Sequence, residues 1–161
     1  MQTTPHDRNR TPIDRLTPRS NAERNGAAAV EMAFVLPLFL LVVWGIVEFG
    51  RAMMVGQLAT NAARYGARLA ILDGSTNQQV IDEVREFLVD TVGGIQPNDV
   101  SVTIEVEAAP GNDEPGNQLS QSHTKDICKV TVSIPYRDVG YISGKFLDGA
   151  NLRGMCAMRH E

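Results

Sequence analysis

One apolar run near the N-terminus limits what this chain can fold into more than any other feature. Met32 to Val47 carries no charge, and its one hydrogen-bonding side chain is the Trp44 indole. As a helix, the 21 residues from Ala27 to Val47 extend about 31 Å, enough to cross the hydrocarbon core of a bilayer. That length includes Glu31, which an ordinary membrane anchor has no reason to contain. The sequence therefore predicts a transmembrane helix in which Glu31 needs a special explanation.

Other interpretations of the run account for less. A plain stop-transfer anchor explains its length and composition but not its glutamate. A buried core helix is disfavoured because the rest of the chain is too small to surround it. A cleaved secretory signal is disfavoured because the polar leader is long and no small-residue cleavage site follows the run directly. Pro37 suggests a kink and is compatible with a membrane helix.

The residues before the run form a polar leader. Residues 1–26 contain five arginines among prolines, threonines and asparagines, with few apolar side chains, so we expect this leader to be disordered. Arginines lie on both sides of the run, and the positive-inside rule alone does not decide its orientation. The net charge is −4 and no basic patch with interleaved aromatics appears, which argues against nucleic acid as a partner.

Two helices are predicted beyond the run. Small residues recur at three- or four-residue spacing and form a stripe against which another element packs closely: Ala52, Gly56, Ala59, Ala63, Ala67 and Ala70. This helix is predicted to end at Asp73-Gly74. A second helix within 75–94 is predicted to begin at a Ser75 or Thr76 cap, to stop at Gly93-Gly94, and to face a core with Val80, Val84, Phe87, Leu88 and Val92.

Three later segments alternate apolar and polar residues with the period of a β-strand, around residues 100–107, 128–134 and 152–158. Cys128 and Cys156 both fall on the apolar phase. Antiparallel pairing with these cysteines opposite each other predicts a disulfide, which would place this domain in an oxidising compartment; two free buried thiols are the alternative. The connection over 136–148 is unusually apolar and is expected to pack on the sheet, a partner or the membrane surface.

No catalytic constellation is visible. His6, His123 and His160 lie in separate segments without metal-ligand spacing, and there is no glycine-rich phosphate loop or nucleophile elbow. The acids of the second helix are expected to form a solvated face. We therefore expect no enzymatic activity, no cofactor, no metal and no small-molecule substrate.

The junction between leader and run resembles a known signal. Gly26 is followed by Ala27-Ala28-Ala29-Val30-Glu31 and the apolar helix, which is similar to the class III signal of the type IV pilin superfamily. More specifically, "GAAAVEMAFVLPLFLLVVWGIVEFGRAM" followed by "LATNAARYGARLAI" resembles the TadE-like proteins of tight-adherence (Flp) pilus systems. The glycine, the glutamate, the proline and "EFGR" carry most of the resemblance. Met32 departs from it, because an aromatic residue or leucine often follows the glutamate in the family.

The resemblance implies an α+β, pilin-like protein. It would have a cytoplasmic leader (1–26), a transmembrane helix (27–49) continuing as an amphipathic helix, and an extracytoplasmic domain (50–161) with a second helix and a small antiparallel sheet of about three or more strands. It implies a bacterial inner-membrane location and cleavage by a prepilin peptidase between Gly26 and Ala27. Glu31 would pair with the new amine of Ala27 on a neighbouring subunit.

The expected partners are that peptidase, other pilins or pseudopilins and the pilus assembly proteins of the inner membrane. The expected role is a minor pseudopilin that assists pilus assembly. An uncleaved single-span anchor that displays an extracytoplasmic binding or adhesion domain remains the alternative, and it would need neither Gly26 nor Glu31.

Overall fold

The structure is a computed structural model, and it describes residues 21–140 and 149–160. Its first element is α1, Asn21–Ala70. The helix therefore begins inside the predicted leader, six residues before the expected start at Ala27. Glycine destabilises a helix by about 1 kcal/mol relative to alanine, but Gly26 is followed by three alanines, and alanine is the best helix former. The helix ends at Ala70, slightly before the predicted stop at Asp73-Gly74, and the turn after it includes Gly74 at φ +82°.

The chain divides into two units between Val42 and Val43. In the first unit, every side chain from Gly26 to Val42 is exposed. Among the described residues, α1 is the one helix that is long and apolar enough to cross a membrane. Pro37 lies inside it without ending it. A helix that is apolar on every side and has no protein cover is suited to lipid.

The second unit, residues 43–161, is an α+β domain, as predicted. After α1 come α2 (Asn77–Val92) and three strands, β1 (Ser101–Glu107), β2 (Ile127–Pro135) and β3 (Asn151–Arg159). The strands form one antiparallel sheet in the order β1-β2-β3. The apolar phase predicted for the central strand is confirmed, since its four inward residues are fully buried: Cys128, Val130, Val132 and Ile134.

The predicted stripe of small residues is the surface on which α1 packs. Ala59, Ala63, Ala67 and Ala70 are buried, while Ala52 and Gly56 are only partly so. Two separate contacts of α1, one with α2 and one with β3, are close at a glycine. A Cβ atom at Gly66 would lie 2.6 Å from Cγ2 of Val84 on α2. A Cβ atom at Gly154 on β3 would overlap the α1 backbone at Ala59 and Thr60.

Helix α2 has the predicted ends and the predicted buried face. The Thr76 hydroxyl accepts a hydrogen bond from the Gln79 N–H at 3.3 Å, and Gly93 lies at φ +66° after the last turn. An N-cap of this kind satisfies one of the unpaired N–H groups at the start of the helix. Val80, Val84, Leu88 and Val92 are buried, and Phe87 is partly buried with its ring centroid 5.6 Å from that of Tyr65.

The predicted register between the last two strands is wrong by two residues. Cys128 lies opposite Met158, and Cys156 lies opposite Val130. A shift of two residues leaves every side chain on its predicted face, so alternation alone cannot distinguish the two registers. The observed register places Gly154 opposite Val132. It thereby puts the residue without a side chain where α1 lies closest to the sheet.

Asp126 anchors the polar loop between β1 and β2. This fully buried carboxylate accepts hydrogen bonds from the N–H groups of Ala109 (2.8 Å) and His123 (2.7 Å) and from the Asn112 amide (2.6 Å). Burial alone would raise the pKa of Asp126, but these donors outweigh it and hold the pKa below its usual value. The buried carboxylate therefore holds the loop in place, because N–H groups of the loop backbone and the Asn112 amide all donate to it.

Candidate functional site

Gly26, Ala27 and Glu31 all lie on the exposed part of α1. The helix passes through the predicted cleavage position without a break, and nothing lies within 4 Å of a Cβ atom built on Gly26. Ala27 and Glu31 are four residues apart and share one face of the helix. Among the described residues, no group donates a hydrogen bond or forms an ion pair with the Glu31 side chain. Its partner, if the helix is in lipid, must come from outside this part of the chain.

A second polar cluster occurs where the apolar run ends. We call it the collar, and it consists of Glu48, Arg51, Tyr136 and Val139. The Tyr136 hydroxyl donates a hydrogen bond to Oε2 of Glu48, and the two residues are 88 positions apart in sequence. Tyr136 is buried, whereas Glu48 is half-buried. The carboxylate that follows the run therefore binds the residue that directly follows the central strand.

Arg51 extends the collar to α2. Its Nε donates to the Val139 carbonyl at 3.1 Å, and a terminal guanidinium nitrogen lies 3.5 Å from the carbonyl of Val92, the last residue of α2. The last carbonyls of a helix have no intrahelical partner and carry the negative end of the helix dipole, so a cation is favourable there. One arginine thus connects α1, α2 and the segment after β2.

The collar keeps Tyr136 protonated. Burial, together with the hydrogen bond to Glu48 and its negative charge, raises the pKa of Tyr136 to about 12, and the positive charge of Arg51 acts in the opposite direction. A neutral phenol facing a carboxylate is a donor that remains in place across the physiological pH range. The arrangement is suited to holding the segment after β2 against Glu48 of α1.

Removing the Tyr136 hydroxyl tests the collar. We expect Tyr136→Phe in the full chain to lower the free energy of unfolding by about 2 kcal/mol, because a part-buried hydrogen bond to a charged carboxylate is lost. The folded-state pKa of Tyr136 lies above the unfolded value of about 10. The wild-type contribution is therefore complete below pH 10 and is lost as the pH rises through 12. Denaturant unfolding in detergent at pH 8 and pH 11 measures both effects.

Tyr65→Phe is the matched control. Tyr65 also donates to a glutamate, Glu83 at 3.2 Å, but that pair is exposed. Its loss should change the free energy of unfolding by less than about 0.5 kcal/mol. Equal effects of the two substitutions would show that the collar has no special importance for stability.

The predicted Cys128–Cys156 disulfide is not formed in the structure, where both thiols are free. The pairing on which it depended is wrong, because the two cysteines occupy diagonal rather than opposite positions. Diagonal positions are about 7–8 Å apart, beyond the usual separation of bridged residues. Burial, and then the charge of Asp126, raise the pKa of the Cys128 thiol, which makes it a weak nucleophile. The cysteines therefore give no argument about the compartment.

The described residues contain no group of three or more His, Cys, Asp or Glu side chains that could hold a metal ion. His123 and His160 both contact Asp126 through backbone N–H groups: that of His123 donates to the carboxylate, and that of His160 donates to the backbone carbonyl. Of the apolar connection, Tyr136 and Val139 are buried, whereas Tyr141, Ile142, Phe146 and Leu147 lie outside the described residues.

The collar was not predicted from the sequence. Glu48 lies near the end of the apolar run, where a charge has a small cost, and so it requires no special explanation on that ground. The available signal was the "EFGR" sequence itself, in which Glu48 and Arg51 are three residues apart and share a helix face. Nothing local indicates Tyr136 as their partner.

Comparisons with known proteins agree with the N-terminal pattern. Comparison with curated proteins and with solved structures found no significant match to this chain. The family model for TadE-like protein matches residues 26–68, which contain Gly26, Glu31, Glu48 and Arg51. The matched segment covers the apolar part of α1, the two collar residues on α1 and most of the small-residue stripe. Over this segment the chain is similar to TadE-like proteins, and the match supports a TadE-like family assignment.

Proposed function

We propose that this protein is a minor pseudopilin, an assembly component of a tight-adherence pilus that a prepilin peptidase cleaves between Gly26 and Ala27. The observation that carries the proposal is the uncovered apolar helix in which Glu31 is the only charged residue from Gly26 to Val47. The family assignment supports a role with the pilus but leaves cleavage and the specific role to be tested.

The position of Glu31 explains why cleavage would matter. A carboxylate within a membrane costs several kcal/mol unless it is paired, and such residues are usually functional. Cleavage after Gly26 would create a positively charged amine at Ala27, close to the same membrane depth. A neighbouring subunit would then supply the cation that the described part of this chain does not supply to Glu31.

The second unit supports assembly rather than shaft formation. Residues 43–161 form a folded α+β domain, whereas the major pilins of these systems have very short mature chains. We therefore place the protein in the bacterial inner membrane as a single-span chain, with its N-terminus cytoplasmic and its domain outside. Its partners would be the peptidase, other pilins or pseudopilins, and the assembly proteins of the membrane. It would have no catalytic activity of its own.

A deletion strain tests the assembly role. Cells that lack this chain should have at least about tenfold fewer surface pili by electron microscopy, and expression of the wild-type chain should restore them. The control is expression of residues 43–161, the whole second unit, directed to the same compartment by an unrelated membrane anchor. If that anchored domain restores pili as well as the full chain does, the protein is the alternative, an anchor that displays a binding or adhesion domain.

A further inference from the structure

The outer face of α2 carries a continuous acidic stripe. Asp82, Glu86 and Asp90 are spaced by four residues, and all three are exposed. Side chains at this spacing are neighbours on a helix, and like charges there repel each other. Of these carboxylates, Asp82 accepts a hydrogen bond from Gln78, and no described cation forms an ion pair with any of them. The stripe is therefore a row of negative charge that faces away from the core.

The outer face of α1 carries the opposite charge. Arg64 and Arg68 are exposed, are four residues apart, and follow the exposed polar residues Gln57 and Asn61. Neither arginine forms a hydrogen bond or an ion pair with a described residue. Arg68 lies in the last turn, where a cation also favours the helix dipole, but Arg64 does not. This pair faces away from the stripe of small residues that packs on the sheet.

The chain does not neutralise one face with the other. Between the two helices lie Tyr65 and Phe87, whose rings are in contact, and the Tyr65 hydroxyl donates to Glu83. This aromatic pair occupies the adjoining edges of α1 and α2, while the arginines and the acidic stripe are directed outward. The like charges within each face repel each other, and no ion pair among the described residues neutralises either face.

We propose that the basic outer face of α1 in one copy of this protein docks on the acidic outer stripe of α2 in a second copy. Two arginines would then face three carboxylates, which relieves the repulsion within each face. The contact uses two different surfaces, so it is head-to-tail, and each added copy leaves one face of each kind open. Such an interface can extend into a row of copies held side by side in one membrane.

Charge complementarity favours a second copy over other occupants. A lipid surface would attract the arginines but repel the acidic stripe, whereas another copy satisfies both at once. The inference goes beyond the proposed function, because it concerns the domain helices rather than Gly26 or Glu31, and it does not require cleavage. Self-association and piliation are therefore measured separately.

The test uses full-length chains with two different tags, expressed together in the native membrane. In the first variant Arg64→Glu and Arg68→Glu make the α1 face acidic. In the second variant Asp82→Lys, Glu86→Lys and Asp90→Lys make the α2 stripe basic. Capture of one tag after mild detergent extraction measures how much of the other tag comes with it.

We expect wild-type copies to capture each other. When either variant is expressed alone, capture should be at least about tenfold lower, because both of its faces then carry charge of the same sign and repel each other. A mixture of the two variants should recover capture, because each then offers the face that the other needs. Recovery in the mixture would also show that the substitutions leave the fold intact. Capture should fall when the salt is raised to 0.5 M, because exposed charge pairs are screened.

Arg153→Glu on the exposed face of β3 is the control for a change of charge elsewhere, and it should leave capture unchanged. The inference is overturned if wild-type copies do not capture each other, if both variants self-associate like the wild type, or if the mixture fails to recover capture. If pili still depend on the chain in any of these cases, the proposed function is unaffected.

Discussion

Gly154→Ala should be the most damaging single substitution in the domain, lowering the free energy of unfolding by about 3 kcal/mol or more. The added methyl group would overlap the backbone of α1 at Ala59 and Thr60. Backbone atoms in the middle of a helix cannot rotate aside as a side chain can, so α1 must move away from the sheet. That movement would open the packing along the whole stripe of small residues.

Gly56→Ala is the matched control for that prediction. Gly56 lies within α1, and nothing comes within 4 Å of a Cβ atom built there. Alanine is the better helix former, so this variant should be about 0.5–1 kcal/mol more stable than the wild type. Thermal unfolding of the two full-length variants in detergent, followed by circular dichroism, compares them. A Gly154→Ala protein that unfolds at the wild-type temperature would contradict the close contact between β3 and α1.

Glu31→Leu should abolish pilus assembly without harming membrane insertion. Leucine removes an insertion cost of up to about 3 kcal/mol, so the variant should accumulate in the membrane at least as well as the wild type. It also removes the charge proposed to pair with the amine of a neighbouring subunit. Immunoblots of membrane fractions give the amount inserted, and electron microscopy of the same cells gives the number of surface pili.

Two further substitutions make this result specific. Met32→Leu changes the neighbouring residue without changing charge and should leave piliation normal. Glu31→Asp keeps the charge on a shorter side chain and should retain part of the wild-type piliation. Normal piliation with Glu31→Leu would reject the pairing role and leave Glu31 without an explanation.

Local patterns in the sequence predict most elements of the fold. The end of α1 follows from Asp73-Gly74, and the limits of α2 follow from Thr76 and Gly93. These signals act through the backbone of a few neighbouring residues, so they can be read without knowing the rest of the fold. The faces of the strands follow from alternation for the same reason. The beginning of α1 could not be predicted from such a local signal. Residues 21–26 are polar in composition, yet they contain no residue that stops a helix.

Contacts between distant residues could not be predicted in the same way. The register of β3 depends on the approach of α1 to Gly154, which alternation does not report. The collar depends on Tyr136 reaching Glu48 across 88 positions. Of the site residues, Gly26, Ala27 and Glu31 rest on the family pattern, and their roles stay predictions. The proposed cysteine pair failed because the phase of two strands does not determine which residues face each other.

The N-terminal sequence of the protein purified from its native membrane tests the central claim most directly. A cleaved pseudopilin should begin at Ala27, and Gly26→Arg, which places a large charged side chain at the cleavage position, should yield the longer precursor. Recovery of the wild-type chain with Met1 intact, in the same amount as from the Gly26→Arg variant, would contradict cleavage and favour an uncleaved membrane anchor.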